Sequence, residues 1–113
     1  MSSKPTKKTD KELFSLIEEK IKCGSYVFLP HSKKRLNERN ISELDVIRLL
    51  SGEKGYGRKR NKKKDTYEHP SICDVAQDWK YCLEGHDIDG ISLRVIITFS
   101  DDLMPIITVI RIE

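Results

Sequence analysis

His31, Arg35 and Arg39 stand four residues apart, and on a helix each such step advances only about 40° around the axis, so the three would share one stripe. Cationic groups placed that way repel one another unless an anion sits opposite. Their types suit a phosphate. A guanidinium fork meets two oxygens at once and stays charged, and an imidazole can carry a proton near neutral pH. Two further arginines, Arg94 and Arg111, interrupt otherwise apolar strands. Burying either one unpaired would be costly, so each must reach a cleft or an open sheet face. A third source of positive charge is residues 54–64, where Lys54, Arg58, Lys59, Arg60, Lys62, Lys63 and Lys64 occur with no acid among them. The net charge of the whole chain is only +3, so the rest of it is acidic. A basic block on an acidic body suits a phosphate backbone or an acidic protein partner. Plainer roles compete with these: a helix-cap histidine with two solvated arginines, rim arginines paired with Glu84, Asp101 or Glu113, and a solvated loop for the basic run.

Other chemistries have less behind them. The chain has no phosphate loop, no nucleophile elbow and no metal triad. His69 with Cys73, and Cys82 with His86, are each four apart, but the Cys-x-x-Cys knuckles that mark a zinc site are missing, so neither a metal nor another cofactor is expected. Cys23, Cys73 and Cys82 are an odd number at irregular spacing, which fits a reducing compartment better than a disulfide scaffold.

The elements that would position these residues can be read from periodicity. With 113 residues, 37% hydrophobic and 35% charged, the chain has the length and composition of one globular domain. Its longest apolar runs, 95–99 and 103–110, fall well short of the ~18 residues of a membrane span, and residues 1–10 lack an apolar signal core, so a cytoplasmic protein is expected. Residues 1–8 read as a disordered basic lead-in and 9–113 as a single α+β domain. Thr9 and Glu12 form a capping box that starts a helix carrying Leu13, Phe14, Ile17 and Ile21 on one side, with Gly24 as its stop. A short extended run, Tyr26-Val27-Phe28-Leu29, ends at Pro30, and residues 31–39 form a second short helix around Leu36. Ser42 with Asp45 caps a third helix, whose buried face is Leu44, Ile47, Leu49 and Leu50, and Ile41 can staple onto Val46. The basic block is expected as a flexible loop or loosely held hairpin, and residues 65–77 carry no clear pattern.

Trp79, Tyr81 and Leu83 alternate with Lys80, Cys82 and Glu84 at strand period, as on a half-exposed surface. Lys80 and Tyr81 would therefore face opposite ways, and Trp79 and Tyr81 read as core aromatics, with stacking on a base as the alternative role. Asp89-Gly90 marks a hairpin, and two strands rich in Ile, Val and Thr follow, joined at Ser100-Asp101-Asp102. Pro105 belongs at a strand start or an exposed edge. The expected architecture is three N-terminal helices packed on a C-terminal antiparallel β-sheet.

The string His31-x-x-x-Arg35-x-x-x-Arg39-x-Ile41-Ser42, with a closing Ile106-Ile107-Thr108-Val109 strand, is similar to an uncharacterised bacterial family of small domains that ends in Ile-Thr-Val-Tyr. That family in turn resembles BrnT and the RelE/ParE-like toxin ribonucleases. The likeness runs from about Leu13 to Ile112; it departs at Ile110-Arg111, where the usual tyrosine is absent, and in a longer basic insertion. A second resemblance is to the MqsR-type mRNA interferase. Laid on it, Ser92 takes the place of a strand tyrosine, Arg111 that of a final lysine, and Gln77-Asp78 that of a Gln-Asp pair. The resemblance implies a metal-independent mRNA endoribonuclease toxin of a type II toxin–antitoxin system, with RNA, including ribosome-associated mRNA, and a cognate antitoxin protein as partners. In such chemistry the ribose 2′-OH attacks the adjacent phosphate, so the enzyme must move a proton each way and stabilise charge at phosphorus. His31, Arg35, Arg94 and Arg111 are then the expected catalytic set, and Arg39, Arg58, Lys59, Arg60, Lys62, Lys63, Lys64, Lys80 and Tyr81 the expected RNA contacts. The alternative is a non-catalytic domain of the same fold that binds nucleic acid or a protein as a regulator.

Overall fold

The fold begins with the capping box. In the computed structural model, which describes residues 6–67, 78–100 and 102–112, the Thr9 hydroxyl accepts the Glu12 N–H at 3.2 Å and the Glu12 carboxylate accepts the Thr9 N–H at 2.9 Å. Helix α1 (Asp10–Cys23) follows and ends at Gly24, whose φ of 71° returns its N–H to the last turn. Pro30 opens α2 (Pro30–Arg39), because its fixed φ suits a first helical position and its missing N–H would be unpaired there anyway. Ser42 caps α3 (Glu43–Leu50) by accepting from Leu44 N–H. Val46, Leu49 and Leu50 are its buried residues; Leu44, expected on that face, is 53% exposed.

Five strands form one mixed sheet in the order β1-β5-β4-β3-β2, with β1 (Tyr26–Phe28), β2 (Lys59–Arg60), β3 (Tyr81–His86), β4 (Ser92–Ile97) and β5 (Met104–Arg111). β3, β4 and β5 make the expected antiparallel meander. The sheet is not purely antiparallel, because Tyr26–Phe28 pairs in parallel with Met104, Pro105 and Ile106. Pro105 thus sits near the start of β5, in a strand with neighbours on both sides, and its carbonyl accepts from Thr98.

One sheet face is covered by all three helices. Leu13, Ile17, Leu36, Ile41, Val46, Leu49 and Leu50 meet Tyr81, Leu83, Leu93, Val95, Ile97, Ile106 and Val109 in a single apolar core. Strand alternation sends Cys82, Glu84 and His86 of β3, and Ser92, Arg94 and Ile96 of β4, to the other face. Among the described residues no helix covers that face. Its Cys82 and Glu84 are nonetheless buried, so β3 is less exposed than alternation suggests. The cause is a short 3₁₀ turn, η1 (Lys62–Lys64), that follows β2 and packs on β3.

The basic block is therefore not a loose loop. Arg60 lies 1% exposed against Asp65, with Nη2 2.8 Å from its carboxylate, and its Nη1 donates to Asp10 at 2.8 Å. Asp65 also accepts the Cys82 N–H, so the pair ties β2, β3 and α1 together. Arg58 donates to the Leu50 carbonyl at the end of α3, pairs with Glu18 and lies 4.1 Å from the Phe14 ring centre. Lys7 and Lys8 are held as well: Lys8 N–H donates to the Tyr81 hydroxyl, its ammonium meets Asp78, and the Lys7 ammonium lies 4.6 Å from the Trp79 ring centre.

Candidate nucleic-acid interface

The register of β2, β3 and β4 sets Lys59, Glu84 and Arg94 side by side in one row across the open face. The next row holds His86 and Ser92. Glu84 Oε2 accepts from Asn61 Nδ2 at 3.0 Å and from Arg94 Nε at 2.9 Å. The Asn61 hydrogen bond first, and then Arg94, hold its carboxyl below the usual range against the opposing effect of burial. Arg94 is engaged through Nε alone, and among the described residues its two outer nitrogens make no hydrogen bond. Glu84 thus orients the arginine while leaving the fork of the guanidinium for a ligand.

Two hollows meet at this row. One, of about 190 Å³, is lined by Gly57, Lys59, Glu84, Gly85, His86, Ser92 and Ile112; the other, of about 420 Å³, by Lys59, Arg60, Asn61, Lys62, Lys63 and Glu84. Lys59 and Glu84 line both, so they form one groove. Lys59, Lys62, Lys63 and Lys64 are exposed. Among the described residues no carboxylate lies within ion-pair distance of Lys59, Lys63 or Lys64, and Lys62 has only Asp10 at 3.8 Å. The groove is a cationic surface with one acid in it.

The expected catalytic set is not brought together. Arg111 pairs in register with Leu93 and so lies on the helix-covered side, whereas Arg94, opposite Ile110, lies on the open side. Helix α2 packs against β5 and buries Leu36 in the core, so His31, Arg35 and Arg39 belong to the helix layer. His31 is exposed, Arg35 comes within 4.0 Å of Glu38, and the Nε of Arg39 is buried without a partner among the described residues. The sheet stands between these groups and Arg94.

The expected RNA contacts divide in the same way. Lys59, Lys62, Lys63 and Lys64 face solvent, while Arg58 and Arg60 serve the fold through the contacts described above. Tyr81 is fully buried, its hydroxyl donating to Asp78 at 3.1 Å; burial raises its phenol above the usual range, so it neither stacks on a base nor carries protons at neutral pH. Lys80 sits at a bridge to Thr66, beside the basic turn. Gln77, and His69 and Cys73 of the zinc alternative, lie outside the described residues. Burial pushes the Cys82 thiol up to about 11, which leaves it a poor nucleophile.

Sequence reasoning passed over His86 except as a partner for Cys82 in a zinc site. The signal was present: strand alternation through Cys82, Glu84 and His86, folded back at Asp89-Gly90, sets His86 on the face that carries Arg94.

Fold and groove together define a small α+β domain with one sheet face covered by helices and, among the described residues, the other left open and basic along the β2–η1 edge. The chain belongs to the DUF4258 family, a domain of unknown function, whose model matches residues 28–111. The matched span includes the His31-to-Ser42 string and every groove residue except Ile112. No curated protein and no solved structure matches the chain. Among the described residues no helix is long and apolar enough to cross a membrane.

Proposed function

We propose that this domain binds RNA through the groove at the β2–η1 edge, as a cytoplasmic RNA-directed protein. One observation carries the reading: Lys59 and Lys63, neither with an acid in ion-pair reach among the described residues, line one solvent-facing groove with Lys62, and Arg94 flanks it on the same sheet face through its register with Glu84. Internal ion pairs account for Arg58 and Arg60, but not for these. Unneutralised cations in a row suit a chain of phosphates, which gains affinity by releasing counterions. The likeness to RNA-cleaving toxins favours RNA over DNA. Titrating a labelled mRNA transcript with the wild-type protein and with the Lys59→Glu/Lys63→Glu variant tests it. Binding at least about tenfold weaker in the variant is expected. Equal binding by both proteins, or none by the wild type, would refute the assignment.

A second reading is the toxin itself: a metal-independent mRNA endoribonuclease silenced by a cognate antitoxin protein. What favours it is that the groove contains an imidazole, His86, beside Lys59 and Ser92. Induced expression would then arrest growth with cleaved mRNA, and co-expression of a neighbouring antitoxin would restore it. Normal growth with intact mRNA leaves the binding domain as a regulator.

A further inference from the structure

We infer that His86 is the group that takes the proton from the ribose 2′-OH in RNA cleavage, with the adjacent phosphate lying across Lys59 and Arg94. The inference rests on the RNA reading above and locates the reaction on the open sheet face, away from α2.

Three contacts hold the imidazole. The backbone N–H of His86 donates to the Tyr56 carbonyl at 2.9 Å, which fixes the end of β3. Its Nδ1 lies 3.1 Å from the Asp87 carbonyl oxygen. A carbonyl can only accept, so Nδ1 carries a hydrogen, and in the neutral ring the lone pair is then on Nε2. The Nε2 edge faces Gly57, where a Cβ would come within 3.1 Å of Nε2 and 3.2 Å of Cδ2. At φ +62°, Gly57 supplies the turn and, having no side chain, lets its backbone pass close to this edge, and both residues line the 190 Å³ hollow. Holding one ring nitrogen on a backbone carbonyl while the other faces a cleft fixes the tautomer that a general base requires.

The neighbours complete the arrangement. Two residues along the same strand face, about 7 Å away, is the Lys59–Glu84–Arg94 row. A phosphate on the Arg94 fork would therefore lie one row from Nε2. In the step, Nε2 removes the 2′-OH proton, the 2′-oxygen bonds to phosphorus, and the P–O5′ bond breaks. The leaving 5′-oxygen takes a proton from water in the open groove, and the imidazolium returns its proton to water. Arg94 and Lys59 hold the charge on the phosphate oxygens throughout. The products are a 2′,3′-cyclic phosphate end and a 5′-hydroxyl end.

The test uses the full chain and a labelled mRNA transcript without added metal. The wild type should cut it to cyclic-phosphate ends, and a 2′-deoxy nucleotide at the cut site should abolish cleavage while leaving binding intact. His86→Ala should lower kcat about a hundredfold or more with RNA affinity nearly unchanged, and added imidazole should restore part of the loss. His86→Asn, whose amide nitrogen stands where Nδ1 does and so keeps a donor for the Asp87 carbonyl but has no base, should be equally slow; it serves if the alanine variant misfolds. Cleavage at the wild-type rate by either folded variant overturns the role of His86 and leaves RNA binding standing. Wild-type protein that binds the transcript without cutting it also overturns the role of His86. Absence of binding removes both proposals.

Discussion

Glu84 is the acid inside a basic groove, and its hydrogen bonds to Asn61 and Arg94 decide how it behaves with pH. Because its folded carboxyl is held below the ordinary range, its contribution to stability is fully present above that range and is lost as pH falls through the lowered value. Glu84→Gln should therefore destabilise the protein by about 1 kcal/mol at neutral pH, with the gap to the wild type closing on acidification. Urea midpoints at neutral and acid pH would measure this; a gap that persists in acid would contradict it. Arg60 poses the same question in the interior. Arg60→Ala leaves the Asp65 carboxylate buried without its main counter-charge and should cost about 3 kcal/mol in urea unfolding. Charge could be read at both positions from residue type, but its role could not. Arg60 and Lys59 are adjacent in one basic run, and only the pleat, which sends one under the helices and the other outward, makes the first structural and the second a groove residue.

Among the elements, the α3–β2 connection has the least freedom. The Tyr56 carbonyl lies against Gly85, where a Cβ would meet it at 2.5 Å and Leu49 at 3.0 Å, and it also accepts the His86 N–H. Gly85→Ala should push this connection off β3 and destabilise the fold by about 2 kcal/mol, seen as a lower urea midpoint; an unchanged midpoint would show that the loop yields freely. The helices were legible because caps and 3.6-residue periodicity are local: Thr9, Gly24 and Ser42 all act within a turn of themselves. Two partners were not legible. The parallel pairing of Tyr26–Phe28 with β5, and that of Lys59–Arg60 with β3, join residues far apart in sequence, and neither segment is long enough to show a period of two.

Taken as a unit, the protein sets Lys59, Lys62 and Lys63 along one groove at the β2–η1 edge of the sheet. RNA affinity should fall steeply with salt, and each of Lys59, Lys62 and Lys63 changed to alanine should lower the log–log slope by about 0.7, the value for a single strand. A slope untouched by all three would place the RNA elsewhere. Arg35→Ala and Arg111→Ala, in the helix layer and on the helix-covered face, should leave that slope as it is.

Composition, caps and alternation, each legible within a few residues, were enough to establish an α+β domain with helices first, strands last and a strongly basic segment between them. Which cations share a surface was settled in three dimensions. A strand pleat assigns every residue to one of two faces, and the assignment depends on a register with strands that sequence does not place beside it. His31 and Arg94 look like partners along the chain, yet the thickness of the sheet separates them. Lys59, Arg94 and His86 look unrelated, and β-pairing makes them neighbours.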